Sequence, residues 1–402
     1  MSTSTAAKLD FDNTSIAFHR LKNSELRKAY WLFSVIASKA FNSINAALTP
    51  TLTRVLPPYR WLVKKSAFDH FCGGVTIADC HATIAALQTG KVGTILDYSV
   101  EGEGREADFD ATYAELLMAI ANAKGNPAIP FAVFKCTGIG PIDVLAKVQA
   151  GTTLSPAEEL AYSRFKTRLA GLAQAAASAR VRLFIDAEET WIQKEIDAQA
   201  MALMQIHNAE QAIIWNTYQL YLQDSLPTLK AHIADAEANG FKLGAKLVRG
   251  AYMEKEAREA NKAGRESPIQ PNKAATDAAY DAAATHCLQR LQTVSFCLGT
   301  HNESSSEGLA EQMLDMNIDS NDERVWFAQL LGMSDNLSFV LAKAGYNVAK
   351  YVPYGPVVSV IPYLIRRAHE NTSVEGQTGR ELALIQKEMT RRGMSRFGAI
   401  AI

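Results

Sequence analysis

The chain has 402 residues, 48% hydrophobic and 21% charged, with a formal net charge of -1. That composition excludes a disordered or collagen-like polymer and is ample for a large core. No run of about 18 apolar residues marks a transmembrane helix, and no secretory apolar region opens the chain. The five cysteines, Cys72, Cys80, Cys136, Cys287 and Cys297, are an odd number without a pairing pattern, so free thiols in a reducing compartment are expected.

Charge is unevenly placed. Residues 1–66 hold ten Lys/Arg against three Asp/Glu, a net of +7, and the remainder carries a net of -8. The basic segment includes the apolar and aromatic run 29–38 and the stretch 59–65. Residues 1–90 are therefore expected to form a helical N-terminal arm. Packing on the main domain is the favoured fate of such runs, and contact with an anionic membrane surface is the other.

From residue 92 onward, β-rich apolar runs alternate with Ala-rich helical stretches. Strands are predicted over 92–100, 130–136, 181–185, 212–218, 242–248, 294–298, 325–330 and 347–352. Helices are predicted over 108–123, 157–179, 190–208, 226–240, 272–291, 305–316 and 335–344. Such alternation argues for a parallel sheet with right-handed crossovers. Eight units suggest a (β/α)8 TIM-type barrel over residues 91–402, with an open doubly wound sheet as the alternative.

The strand ends carry the chemistry. They read Asp97 to Glu101, Lys135-Cys-Thr, Asp186-Ala-Glu188, Tyr218-Gln219, Lys246 to Tyr252, Thr300-His301-Asn302, Gln329-Leu330 and Tyr351. In a barrel these ends share one rim, where active sites are built. One buried ionisable group is usually a paired structural residue. Polar ends on nearly every strand are hard to explain that way.

Other site types fail on their residues. Gly102-Glu-Gly104-Arg-Glu-Ala107 fits a dinucleotide pattern, but Glu101, Glu103 and Glu106 would repel a pyrophosphate, so it reads as a loop. No phosphate-binding loop or nucleophile elbow occurs. The eight histidines show no metal-ligand spacing, and Asp79-Cys80-His81 reads as a helix start, so no metal is expected. Beyond the basic arm nothing points to nucleic acid. The last motif is a strand, a sharp turn at Gly355-Pro356 and a helix. On that helix Tyr363, Arg366, Arg367 and Glu370 share one face. Adjacent arginines suit a bidentate grip on a carboxylate or phosphate.

Taken in order, these motifs resemble the proline dehydrogenase family over roughly residues 90–375. Those that carry the resemblance are Phe134-Lys-Cys-Thr-Gly138, Ile185-Asp-Ala-Glu188, Tyr218-Gln-Leu-Tyr-Leu-Gln-Asp224, Lys246-Leu-Val-Arg-Gly-Ala-Tyr252, Leu298-Gly-Thr-His-Asn302, Gln329-Leu-Leu-Gly-Met333 and Tyr363-Leu-Ile-Arg-Arg-Ala-His-Glu-Asn371. Lys246 points to the monofunctional and eukaryotic branch, since the fused bacterial proteins usually carry Arg there. On that reading no fused aldehyde dehydrogenase domain is expected.

The resemblance implies a distorted (β/α)8 barrel, noncovalent FAD and oxidation of L-proline to 1-pyrroline-5-carboxylate, with electrons passing to a quinone. It implies Arg366 and Arg367 as a carboxylate clamp with Lys135 beside them, balanced by Glu370 and Asp186. Tyr351 and Tyr363 would pack on the pyrrolidine ring against Leu330, and Glu101 would pair with the first arginine. Asp186, Ala187, Glu188, Gln219 and Lys246 would line the isoalloxazine. Val248, Arg249, Gly250, Ala251 and Tyr252 would take the ribityl and phosphate region, and Thr276, Thr300, His301 and Asn302 the adenosine half. Met253 stands where other members often have Trp. Two alternatives stay open: a hydroxyproline dehydrogenase, which Tyr351 disfavours because those relatives carry a smaller residue there, and an inactive barrel serving as a binding module. The expected location is cytoplasmic, peripheral on the inner membrane where the arm makes contact.

Overall fold

A computed structural model of the chain describes residues 9–36, 64–100, 104–364 and 377–395. Eight parallel strands follow one another around a closed barrel in chain order. They are β1 (Gly93–Tyr98), β2 (Phe131–Lys135), β3 (Arg182–Asp186), β4 (Ile214–Gln219), β5 (Leu243–Val248), β6 (Val294–Gly299), β7 (Val325–Leu330) and β8 (Val348–Tyr354). All eight predicted strands are present, with ends moved by at most two residues, and the barrel rather than the open sheet is the architecture.

Parallel neighbours need long crossovers, and the helices supply them. Their starts follow local chemistry. Ser155 caps the helix Pro156–Ala179 in a reciprocal box with Glu158, and proline occupies its first position. Thr76 and Asp79 do the same for the helix Ile77–Thr89, so Asp79-Cys80-His81 is indeed a helix start. The helix Met253–Lys262 escaped the sequence reading. Six of its ten residues are charged and its apolar stripe is only Met253, Ala257 and Ala260, which is a weak signal for such reading.

By contact density the chain divides into two compact units, one of residues 95–98 and 102–328, the other of residues 1–94, 99–101 and 329–402. In the first, the N-terminal ends of the strands are closed by aromatic rings. Phe131 stacks on Phe184 with centroids 4.3 Å apart, and Trp215 and Trp326 meet Phe131 edge-on at 5.2 and 5.1 Å. The Arg182 guanidinium lies 5.6 Å from the rings of both Phe131 and Trp326. Such offset and cation–π contacts make this end a packed floor. In this unit, polar side chains that must reach a ligand are left the opposite, C-terminal strand ends. Parallel register then sets neighbours there: Lys135 is the Cα partner of Asp186, Thr217 of Lys246, and Gln219 of Val248.

The second unit has its own core. Phe18, Leu26, Ala29 and Phe33 of the arm pack with Phe71, Val360, Tyr363, Leu384 and Ile385. Residues 357–364 are helical, following a turn at Gly355 with φ +139°. Buried Lys350 donates to the carbonyls of Leu330 (3.2 Å) and Met333 (2.6 Å) and pairs with Asp335 at 2.8 Å. Arg20 of the arm pairs with the other Asp335 oxygen at 2.9 Å. Burial opposes the Asp335 charge, but Lys350 and Arg20 outweigh it and bring its pKa to about 2. The described part of the arm is thus built into this unit. Among the described residues no helix is long and apolar enough to cross a membrane.

Glu381 shares this buried environment and accepts a hydrogen bond from the Ser334 N–H. Burial, aided by the nearby Asp335 charge and opposed by the Ser334 N–H, pushes its carboxyl up to about 7. The folded pKa thus exceeds the unfolded value, so the folded protein holds the extra proton. The associated stability is full below the unfolded pKa, near 4.5, and is lost as pH rises through about 7. Glu381→Gln is expected to flatten the fall in denaturation midpoint between pH 5 and 8; an unchanged slope would remove Glu381 as its source.

Candidate active site

The C-terminal ends of β2, β3 and β5 bring three ionisable side chains together. Asp186 pairs through one oxygen with Lys246 Nζ, and through the other with Lys135 Nζ at 3.6 Å. Lys246 is 5% exposed and Asp186 14% exposed, and the Lys246 ammonium also lies 5.3 Å from the Phe184 ring. Burial would raise the Asp186 pKa, but Lys246 and Lys135 overcome this and hold it below the ordinary value. Partial burial would likewise oppose the charge on Lys135. The Tyr252 phenol and the carboxylates Asp186, Glu188 and Asp97 overcome that and raise its pKa. Lys135 therefore stands as a fixed ammonium, suited to meeting an anion and unsuited to taking a proton. Its Nζ also donates to the Tyr252 hydroxyl at 3.5 Å.

Glu188 lies two residues beyond Asp186 and is buried. Its carboxylate accepts the Thr137 N–H at 2.9 Å and the Thr137 hydroxyl. Burial dominates and raises its pKa despite these bonds and the Lys135 charge. Its N–H donates to Gln193 Oε1 at 2.7 Å, and its carbonyl accepts from Gln219 Nε2 at 2.7 Å. Gln219 Oε1 in turn accepts the Ala251 N–H at 3.4 Å. One amide thus ties the exits of β3 and β5 across the end of β4.

A second cluster surrounds Arg249, just past Val248 at the end of β5. Its Nε donates to Asp277 at 2.6 Å, and its terminal nitrogens donate to Thr300 Oγ1 at 2.8 Å and Ser305 Oγ at 3.0 Å. The guanidinium carbon sits 4.3 Å from the Tyr280 ring centroid. Thr276 is buried on the same helix as Asp277 and Tyr280, its hydroxyl donating to the Asn272 carbonyl at 3.3 Å. Thr300 Oγ1 also accepts the Asn302 N–H at 3.1 Å, and Asn302 caps the helix Glu303–Asp315 through the Ser305 N–H at 2.9 Å. His301 lies between them, partly exposed.

Gly250 has φ +134°, and a Cβ there would fall 1.5 Å from Cδ1 of the Tyr221 ring. Only glycine permits that approach. Gly250→Ala is expected to cost about 2 kcal/mol or more in denaturant unfolding, from backbone strain and ring displacement together. A loss within about 0.5 kcal/mol would show that the ring yields freely.

In the other unit, Tyr351 is buried on β8, Tyr363 is buried in the 357–364 helix, and Leu330 ends β7, partly buried. Glu101, Arg366, Arg367 and Glu370 lie outside the described residues. The structure therefore gathers Lys135, Asp186, Glu188, Gln219 and Lys246 in one group, and Arg249, Thr276, Thr300 and Asn302 around another. Sequence reasoning passed over Thr137, Gln193, Asp277 and Ser305. Thr137 stood inside a quoted motif, but lone polar residues on helices, such as Gln193 and Asp277, give no signal in one sequence. Among the described residues no group of three or more metal-ligating side chains occurs.

A parallel (β/α)8 barrel closed at one end by aromatic rings, with charged side chains paired at the other ends of its strands, defines the architecture on which barrel enzymes place their chemistry. Residues 80–380 match the family model described as proline dehydrogenase. The chain belongs to the proline dehydrogenase family of oxidoreductases. It is 35% identical over 322 residues to the carbapenem antibiotics biosynthesis protein CarD of Pectobacterium carotovorum subsp. carotovorum, covering 80% of this chain and 83% of that protein. It is 41% identical over 238 residues to human mitochondrial proline dehydrogenase 1, covering 58% of this chain and 40% of that one. A crystal structure of proline utilization A from Bdellovibrio bacteriovorus, inactivated by N-propargylglycine, superposes with a TM-score of 0.71 at 19% identity over 96% of this chain and 42% of that chain. That likeness is one of fold. The chain spans less than half the length of the last two proteins.

Proposed function

We propose that this protein oxidises L-proline to 1-pyrroline-5-carboxylate using noncovalently bound FAD. The observation that carries the reading is the Lys135–Asp186–Lys246 array at the ends of β2, β3 and β5 in a chain of this family. The donor set suits the cofactor. Three of the five N–H donors of Arg249 are met by Asp277, Thr300 and Ser305, and the other two suit phosphate oxygens. Lys246, buried and held by Asp186, would face the flavin ring and favour negative charge on its reduced form. Gln219 and the Asp186–Glu188 segment would line the ring, with Val248, Gly250, Ala251 and Tyr252 along the chain toward the phosphates, and Thr276, His301 and Asn302 at the adenosine. The chemistry that FAD supplies when bound is acceptance of a hydride at N5 from the ring carbon beside the proline nitrogen.

The protein's part is to orient the substrate and compensate its charges. Arg366, Arg367 and Lys135 would take the proline carboxylate, with Glu370, Asp186 and Glu101 balancing the cations. Tyr351, Tyr363 and Leu330 would wall the ring. A quinone would then reoxidise the cofactor. Trp31, Val35 and Lys28 stay exposed on the helix Asn23–Ile36 and support contact of the arm with an anionic membrane. Salt-sensitive binding to anionic vesicles would be its signature.

The deciding experiment is dye-coupled oxidation by the purified protein with L-proline and hydroxyproline side by side, alongside its absorbance spectrum. A flavin spectrum and a clear preference for proline are expected. A colourless, inactive protein would leave the binding-module reading, and a preference for hydroxyproline would transfer the site to that substrate.

A further inference from the structure

The helix Met253–Lys262 starts immediately after Tyr252, and six of its ten residues are charged. Its buried face offers little apolar area beyond Ala260, so polar contacts do most of the holding. Glu256 is fully buried, and its two carboxylate oxygens accept the Thr190 N–H and the Thr190 hydroxyl, each at 2.7 Å. Thr190 is the first residue of the helix Thr190–His207, so the carboxylate sits where an unsatisfied helix N–H and the helix dipole both favour it. Lys255 pairs with Glu189 and lies 5.3 Å from the Trp191 ring centroid. Two successive residues of one helix thus grip three successive residues of another.

The grip has a consequence at the rim. The Glu256 N–H donates to the Tyr252 carbonyl at 2.9 Å, so the two residues belong to one helical turn. Fixing Glu256 on Thr190 fixes the backbone of Tyr252, whose hydroxyl meets Lys135. Thr190 itself follows Glu188 and Glu189 at the exit of β3. Gln219 joins the exits of β3 and β5 once, and Glu256 joins them a second time, farther along both chains.

We infer that Glu256 is a positioning residue: by clamping Thr190 it holds Tyr252 at Lys135 and so sets the orientation of the basic side chain proposed to meet the substrate carboxylate. The inference rests on the proline reading of this site.

The test uses the flavin-loaded full chain and three variants, Glu256→Ala, Glu256→Gln and Tyr252→Phe. Acetylation by acetic anhydride is followed at individual lysines by mass spectrometry. Lys135 should be modified at least about threefold faster in Glu256→Ala, as expected of a modest local opening. Glu256→Gln keeps an acceptor for the Thr190 N–H and should behave like the wild type. Lys350, buried elsewhere, should keep its rate throughout. In parallel, kcat/KM for L-proline should fall about tenfold in Glu256→Ala and recover in Glu256→Gln. Adding Glu256→Ala to Tyr252→Phe should cost much less than adding it to the wild type, because both act on one contact. An unchanged Lys135 rate in Glu256→Ala would overturn the inference. So would equal acceleration at Lys135 and Lys350, which would mark general loosening. The acetylation comparison needs no turnover, so it separates failure of this inference from failure of the proline reading.

Discussion

Asp186→Ala is expected to give the largest loss of any single change at the rim. The carboxylate is the common partner of Lys135 and Lys246, and its removal leaves the nearly buried Lys246 ammonium without it. Breaking a buried pair from one side costs about 3–5 kcal/mol, because the surviving charge keeps its desolvation cost. Most of that belongs to Lys246, since Lys135 is 38% exposed and water screens its share. Denaturant unfolding at neutral pH should register the loss. The Asp186 pKa is depressed in the fold, so its contribution is present above the unfolded carboxylate value and disappears as pH falls through the folded one. The variant's deficit should therefore shrink in acid. Proline turnover should fall by at least about a hundredfold, the equivalent of 2.7 kcal/mol in the barrier. A variant within about 1 kcal/mol of the wild type at neutral pH would mean that the lysines have other adequate partners.

Arg367→Met is expected to damage catalysis just as severely while sparing the fold. If Arg367 grips the substrate carboxylate in a desolvated site, its loss should cost about 2–5 kcal/mol in kcat/KM. Flavin content should stay near that of the wild type, because the donors proposed for FAD come from other segments. The measurement is turnover per bound flavin, with KM and kcat resolved separately. Wild-type turnover in this variant would move the clamp elsewhere.

Most of the architecture was readable because the two periodicities that specify it are strong in this chain. Buried parallel strands such as Phe131–Lys135 and Leu243–Val248 stand out as short apolar runs, and the helices between them are rich in alanine. Asp186 and Lys246 were legible as polar residues ending or interrupting apolar strands. Two apolar-faced helices, Ile142–Gln149 and Gln377–Arg391, were passed over, and the rest of what escaped is held largely by polar contacts. The helix Met253–Lys262 is mostly charged with small apolar residues, and Glu256 looks like any other surface glutamate until the fold brings it to Thr190. Ser305 and Asp277 likewise gain meaning only when Arg249 reaches them across separate elements. The roles of Arg366, Arg367 and Glu370 rest on helical spacing and motif order.

The unit that contains the arm is assembled from the two far ends of the described chain. Arg380 pairs with Asp12 across 368 residues, and Arg392 donates to the Leu21 carbonyl across 371. The other unit draws on a nearly unbroken run, 102–328. Synthesis therefore delivers the apolar side chains Phe18, Leu26 and Phe33 before their companions Leu384, Ile385 and Met389. Closing so long a loop is slow, and an apolar surface waiting for its partner is where association with other chains begins. For this protein the vulnerable interval lies between emergence of the arm and release of the helix Gln377–Arg391, a period in which a chaperone holding residues 10–36 would do the most good.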